Sequence, residues 1–225
     1  RDVAVTGVQT CALPIFYWDR MTITPILDEE GRVMHFLALH EDVTGQKLAR
    51  EDLKQSHSQL LAALKLHASD LARLNQASEF LENCLTRTEL FHAFAYAAEL
   101  LSLGQGGAVA LADAEAAVVT TEARWGDGDA MADRFAADGC WAVRRGRLHM
   151  VEDAARGMAC HHYIKPPETP HFCLPLVRRG QLFGLLHVAM APDLDADART
   201  RQLQLAAALG HAFTAALEGL RRMSL

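Results

Sequence analysis

The chain has 225 residues, half of them apolar and 22% charged, a composition that fits one large or two smaller folded domains and excludes a disordered chain. A net charge of −6 excludes a broad electrostatic attraction to nucleic acid or anionic lipid, and the short Arg144-Arg145-Gly146-Arg147 cluster reads as a solvated turn. No apolar run is long enough to insert into a membrane and no signal peptide is visible, while five irregularly spaced cysteines do not form a secreted disulfide framework, so a cytoplasmic, reducing compartment is expected.

Residues 1–15 carry no helical or strand period. The run Val5-Thr6-Gly7-Val8-Gln9-Thr10-Cys11-Ala12-Leu13-Pro14-Ile15 resembles translated sequencing-adapter read-through, so this segment is expected to be artefactual and is assigned to no domain. Patterned sequence starts at Phe16. Two strand-like runs, 16–26 and 33–41, flank Asp28-Glu29-Glu30-Gly31, where Gly31 can supply a positive φ, and together they predict an antiparallel hairpin. The residues Trp18, Met21-Thr22-Ile23-Thr24-Pro25-Ile26, His35-Phe36 and Glu41-Asp42-Val43-Thr44 resemble the last two strands of a PAS domain with its closing Asp-x-Thr motif. That resemblance covers residues 16–45 and implies that Asp42 and Thr44 couple the final strand to an outgoing signalling helix. Thr44 also suits a helix N-cap, because its hydroxyl can accept an orphan backbone N–H.

Over residues 46–86 the period changes. Leu53, His57, Leu60, Leu64, His67, Leu71, Leu74, Ser78, Leu81 and Leu85 recur at alternating intervals of four and three, which is a heptad seam. Such a narrow seam calls for a partner helix, and a homodimer through Leu53, Leu60, Leu64, Leu71, Leu74 and Leu81 is expected. His57 does not read as a kinase phospho-acceptor, since His57-Ser58-Gln59-Leu60-Leu61 has neither the acidic residue nor the proline of that motif.

Thr86-Arg87-Thr88-Glu89 has the spacing of a capping box and predicts a helix through Leu101, with Leu90, Phe91, Phe94, Ala97, Ala98 and Leu101 on its apolar face. Strand-like runs follow at 108–113 and 117–123. Gly126-Asp127-Gly128-Asp129 is a loop that lacks the remaining ligands of a calcium-binding hand. A short helix from Cys140 to Gly146 and a strand near Leu148 precede an ambiguous stretch, 158–165. Strands at 172–177 and 181–190 surround the turn Arg178-Arg179-Gly180, and a long amphipathic helix covers 196–222.

This order of elements, and above all Cys173-Leu174-Pro175-Leu176-Val177-Arg178-Arg179-Gly180-Gln181-Leu182-Phe183-Gly184-Leu185-Leu186-His187-Val188, resembles a GAF domain over residues 87–222. The segment Gly139-Cys140-Trp141-Ala142-Val143-Arg144-Arg145-Gly146-Arg147-Leu148-His149 is similar to a subgroup that sits upstream of GGDEF diguanylate cyclases or histidine kinases. The expected fold is therefore α+β: an antiparallel sheet with flanking N- and C-terminal helices, preceded by the helical linker and the partial PAS hairpin. The resemblance implies a small-molecule pocket in the middle segment, with Trp141, His149, Cys160, His162, Cys173 and His187 as its candidate lining.

Within that segment Cys140, His149, Cys160 and His162 are soft and borderline ligands of the types that hold zinc or iron, with His161 and Cys173 in reserve, although their spacing is not that of a zinc finger. They could equally be small buried cysteines and loop histidines. Cys160-His161-His162-Tyr163 also resembles the thioether Cys-His pair of bilin-binding GAF domains, which would attach a bilin at Cys160, but the other bilin-pocket motifs are missing. The cyclic-nucleotide motif of the family is absent, as are Gly-x-Ser-x-Gly, the P-loop and His-Glu-x-x-His. The function expected from the sequence is a sensor fragment without catalytic residues, relaying ligand, metal or redox state to an output domain further along the polypeptide. The alternatives are a GAF-fold, cysteine-dependent methionine sulfoxide reductase and a ligand-free dimerisation spacer.

Overall fold

The structure is a computed structural model that describes residues 17–126 and 131–223. The segment 1–15 and residues 127–129 of the expected loop lie outside the described residues. The chain divides within one helix into two compact units, the first ending at Lys65 and the second beginning at Leu66.

In the first unit β1 (Asp19–Leu27) and β2 (Val33–Asp42) form the expected antiparallel hairpin, with Asp19 opposite Asp42. The turn is built as its residues dictate. Gly31 has φ of +78°, and the Asp28 carboxylate accepts the N–H groups of Glu30 and Arg32 at 3.0 and 2.8 Å. The hairpin leads into α1 (Thr44–Glu82), and the junction differs from the expected N-cap. The Thr44 hydroxyl accepts the Trp18 N–H at 2.8 Å, so it ties the start of the hairpin to the helix entry. Asp42 accepts the Thr44 N–H at 2.9 Å, and hydrogen bonding to Thr44 holds its carboxyl below the usual range. The reason is cross-strand pairing: Val43 N–H also bonds the Trp18 carbonyl, which brings the Trp18 amide within reach of the Thr44 side chain.

The heptad leucines of α1 do not share one environment. Leu53, Leu60 and Leu64 are 55–70% exposed, and Leu71 in the second unit is 61% exposed. Leu81 is 1% exposed and Leu74 is half-buried, both packed with Ala77 into the core of the second unit. Leu74 and Leu81 thus contribute to the core of their own chain, while Leu53, Leu60, Leu64 and Leu71 stay exposed. The same four-and-three spacing serves a coiled coil or an intramolecular helix face.

The second unit continues with α2 (Arg87–Leu100), opened by the complete Thr86/Glu89 capping box. Then come β3 (Gly106–Ala112), β4 (Val118–Gly126), β5 (Arg134–Ala136), α3 (Trp141–Arg145), β6 (His149–Val151), β7 (His171–Arg178), β8 (Gln181–Ala189) and α4 (Ala196–Met223). The six strands form one antiparallel sheet in the order β5-β4-β3-β8-β7-β6. The β7–β8 turn places both Arg179 and Gly180 at positive φ, the geometry of a tight hairpin turn.

Strand alternation splits the core in two. Val109, Leu111, Phe172, Leu186 and Val188 face the helices, where Phe94 of α2 and Phe213 of α4 meet with ring centroids 4.9 Å apart. The intervening residues Ala108, Ala110, Cys173 and Leu185 face the other way, into a second cluster under α3 and the segment that follows β6. The small alanines of β3 leave room on this face for larger polar side chains from β7, β8 and the covering segment.

One ion pair fastens α1 to α4 inside the second unit. Arg201 engages Asp70 with two parallel hydrogen bonds, and that pairing lowers the Asp70 pKa. Asp70→Asn is expected to destabilise the chain by about 2 kcal/mol at neutral pH. Because the folded-state pKa is depressed, this stabilisation is present above about pH 4 and is lost as pH falls through the lowered value. Urea denaturation at pH 7 and pH 3 should show the difference between wild type and variant closing in acid.

Candidate functional site

The second core cluster contains a polar centre. Cys173 on β7 stands directly opposite His187 on β8, on the face turned away from the helices. Cys140 caps the N-terminus of α3, and Cys160 and His162 come from the covering segment. Cys140, Cys160, His162, Cys173 and His187 are all buried. The ligand-type atoms of Cys140, Cys160, His162 and Cys173 all lie within 4.8 Å of one another. The Cys140 and Cys160 sulfurs are 3.9 Å apart, and the Cys173 sulfur is 3.4 Å from His162 Nε2.

The covering segment is held by backbone pairing. His161 N–H donates to the Gly139 carbonyl at 2.9 Å, Ala132 N–H donates to the His162 carbonyl at 2.9 Å, and Met131 bridges Tyr163. These links place Cys160 beside α3, where the Trp141 N–H donates to its sulfur at 3.4 Å. Tyr163 reaches the opposite side of the centre. Its hydroxyl is 3.4 Å from the Cys173 sulfur and 3.2 Å from His187 Nδ1. The His162 ring stacks on Phe135 with centroids 4.8 Å apart and turns Nε2 toward the cysteines.

The electrostatics follow from crowding three thiols in a buried space. Hydrogen bonding from Cys140, then from Cys173, pulls the Cys160 pKa down. The Cys140 thiol is pushed up to about 12, first by its bond to Cys160, and the Cys173 thiol is raised by its bonds to Cys140 and Cys160. Burial pushes His187 down to about 3, with the neighbouring His171 and His162 adding to the effect, so this imidazole is neutral at physiological pH. Burial likewise lowers His171 and raises Tyr163.

The sequence-derived candidates are thus sorted. The geometry gathers Cys140, Cys160, His162 and Cys173, with His187 alongside. His149 is the strand partner of Cys173, yet its Nε2 bonds the Met158 carbonyl at 2.8 Å and it stands outside the gathered set. The Trp141 ring is half-buried under the Arg144 guanidinium and packs against the second cluster, while its backbone N–H reaches the Cys160 sulfur. Sequence reasoning missed His171, whose ring packs against Tyr163 and His187. The available clue was that His171 and Cys173 lie two apart on one strand and so share a face.

The fold of the second unit is that of GAF domains. It is similar to the A. aeolicus nlh2 GAF domain in an inactive state (TM-score 0.54, 10% identity, 68% of this chain and 98% of that one) and to a putative GAF sensor protein from Burkholderia vietnamiensis (0.53, 16%, 69% and 98%). It is also similar to a free methionine-R-sulfoxide reductase from Neisseria meningitidis solved with its substrate (0.50, 16%, 65% and 89%). No family model and no curated protein matches the chain. Among the described residues no helix is long and apolar enough to cross a membrane.

Proposed function

We propose that the chain is a cytoplasmic signalling sensor in which the buried thiol–imidazole centre reports its state to the helices across the sheet. The observation that carries this reading is the placement of a built polar centre on one sheet face while α2, α4 and the end of α1 pack the other. A change in strand spacing at Cys173 or His187 acts on neighbours such as Phe172 and Val188 that contact the helix side. The sensor pairs with a second copy through the exposed Leu53, Leu60, Leu64 and Leu71. A groove of about 400 Å³ lined by Leu71, Leu74, Arg201 and Leu205 gives a partner helix further apolar surface. Asp42 and Thr44 couple the hairpin to α1, and an output domain of the diguanylate cyclase or histidine kinase type, which the sequence resemblance implies, receives the signal.

The burial of Cys140, Cys160 and Cys173 favours this reading over a sulfoxide reductase, which needs a pair of cysteines that substrate can reach, whereas among the described cysteines Cys84 alone is partly exposed. Two measurements test it. Sedimentation should give a dimer for the wild type and a monomer for Leu60→Lys/Leu64→Lys, with unchanged near-UV circular dichroism. Free methionine-R-sulfoxide with a thiol reductant should not be turned over. A monomeric wild type or sustained turnover would overturn the proposal.

A further inference from the structure

We propose that Cys140, Cys160, His162 and Cys173 form a closed tetrahedral site for one divalent zinc-class ion. The proposal deepens the sensor reading by naming what the centre holds, and it rests on that reading's choice of this centre as the functional one.

Three thiolates and one imidazole are a donor set of structural zinc sites. With bonds of about 2.3 Å to sulfur and 2.0–2.1 Å to nitrogen, the edges of a regular tetrahedron are about 3.8 Å between sulfurs and about 3.6 Å from sulfur to nitrogen. The Cys140–Cys160 edge of 3.9 Å and the Cys173–His162 edge of 3.4 Å straddle these values, and no edge exceeds 4.8 Å. Two separate hydrogen-bonded pairs would not require all four donors to converge. An iron–sulfur cluster needs its ligands spread around a larger body, whereas this spacing encloses a single ion.

The surroundings fit the same ion. Zinc with three thiolates carries one net negative charge, and hydrogen-bond donors to the sulfurs offset it. The Trp141 N–H at the Cys160 sulfur is one donor, and the Tyr163 hydroxyl beside the Cys173 sulfur is positioned to be another. The four ligands come from the start of α3, the covering segment and β7. An ion there would fasten residues 152–170, which contain no helix or strand, to the sheet. All four positions belong to the protein, so the site has no open coordination position and is structural or regulatory in type, not hydrolytic.

The test uses the full chain purified without chelator. Elemental analysis should find one zinc per chain. Cobalt(II) exchanged into the protein should give the visible bands of a tetrahedral ion and a near-ultraviolet sulfur-to-cobalt band of three-thiolate intensity. Cys173→Ala should cut that band by about one third, while His149→Ala and Cys84→Ser leave it unchanged. Tyr163→Phe should keep the one-to-one stoichiometry and weaken zinc affinity about 10- to 100-fold, which keeps the proposal testable where Cys173→Ala fails to fold. A folded wild type that takes up neither zinc nor cobalt overturns the proposal, as does a cobalt band lost in His149→Ala. Zinc bound at one per chain with no effect of its removal on helix exchange or dimerisation upholds the site and overturns the sensor reading instead.

Discussion

Phe213→Ala is expected to destabilise the chain by about 3–5 kcal/mol. Phe213 is fully buried on α4, where its ring meets Phe94 at 4.9 Å and Phe91 at 5.6 Å, so one side chain joins both helices of α2 and α4 over the sheet. Truncation removes the transfer energy of the ring and leaves a cavity that two packed helices cannot close. Against a total stability of about 5–15 kcal/mol the loss is large. Urea denaturation should show a lower midpoint with an unchanged slope. Phe36→Ala, on an exposed hairpin position, should change the midpoint little. A shift below about 1 kcal/mol for Phe213→Ala would mean that α4 does not pack as described.

Withdrawing zinc should lower the melting temperature by about 10 °C. An ion bound at a thousand times its dissociation constant stabilises the folded chain by about 4.1 kcal/mol. For a unit of this size each kcal/mol corresponds to about 2–4 °C. The effect should vanish in Cys173→Ala, which has already lost a ligand, and should persist in His149→Ala. The chelated chain should keep its helical signal, because the helix-side core of Leu81, Phe94, Phe172 and Phe213 contains no ligand. An identical melting curve with and without chelator would contradict the zinc assignment.

The sequence carried the regular parts of the fold well, and the reasons are local. The Asp28–Gly31 turn, the Thr86/Glu89 capping box and the Arg179-Gly180 turn each rest on side-chain or backbone chemistry within four residues. The strand β5 was not legible, since three residues are too few to show alternation. The α1 seam was legible as a pattern and ambiguous in use. Leu60 and Leu81 have the same periodic position, and only the helix-side cluster of the second unit makes Leu81 a core residue.

The site was half legible. Cys140, Cys160 and His162 stood out by residue type, but residue type and place in the middle segment equally picked out His149 and left Cys173 in reserve. The structure prefers Cys173 because cross-strand register and the fold of the covering segment, neither encoded in local spacing, bring its sulfur to His162. The Thr44 hydroxyl shows the same limit, since its partner Trp18 lies 26 residues earlier in the chain and only the strand pairing brings the two together.

The buried centre and the helices across the sheet are proposed to form one two-state element. Amide hydrogen exchange on the zinc-loaded and chelated chain tests it most directly. Zinc removal should alter protection in α4 and in residues 66–82 of α1 as well as around the ligands. Exchange that changes only within residues 137–173, with α4 and α1 untouched, would contradict it.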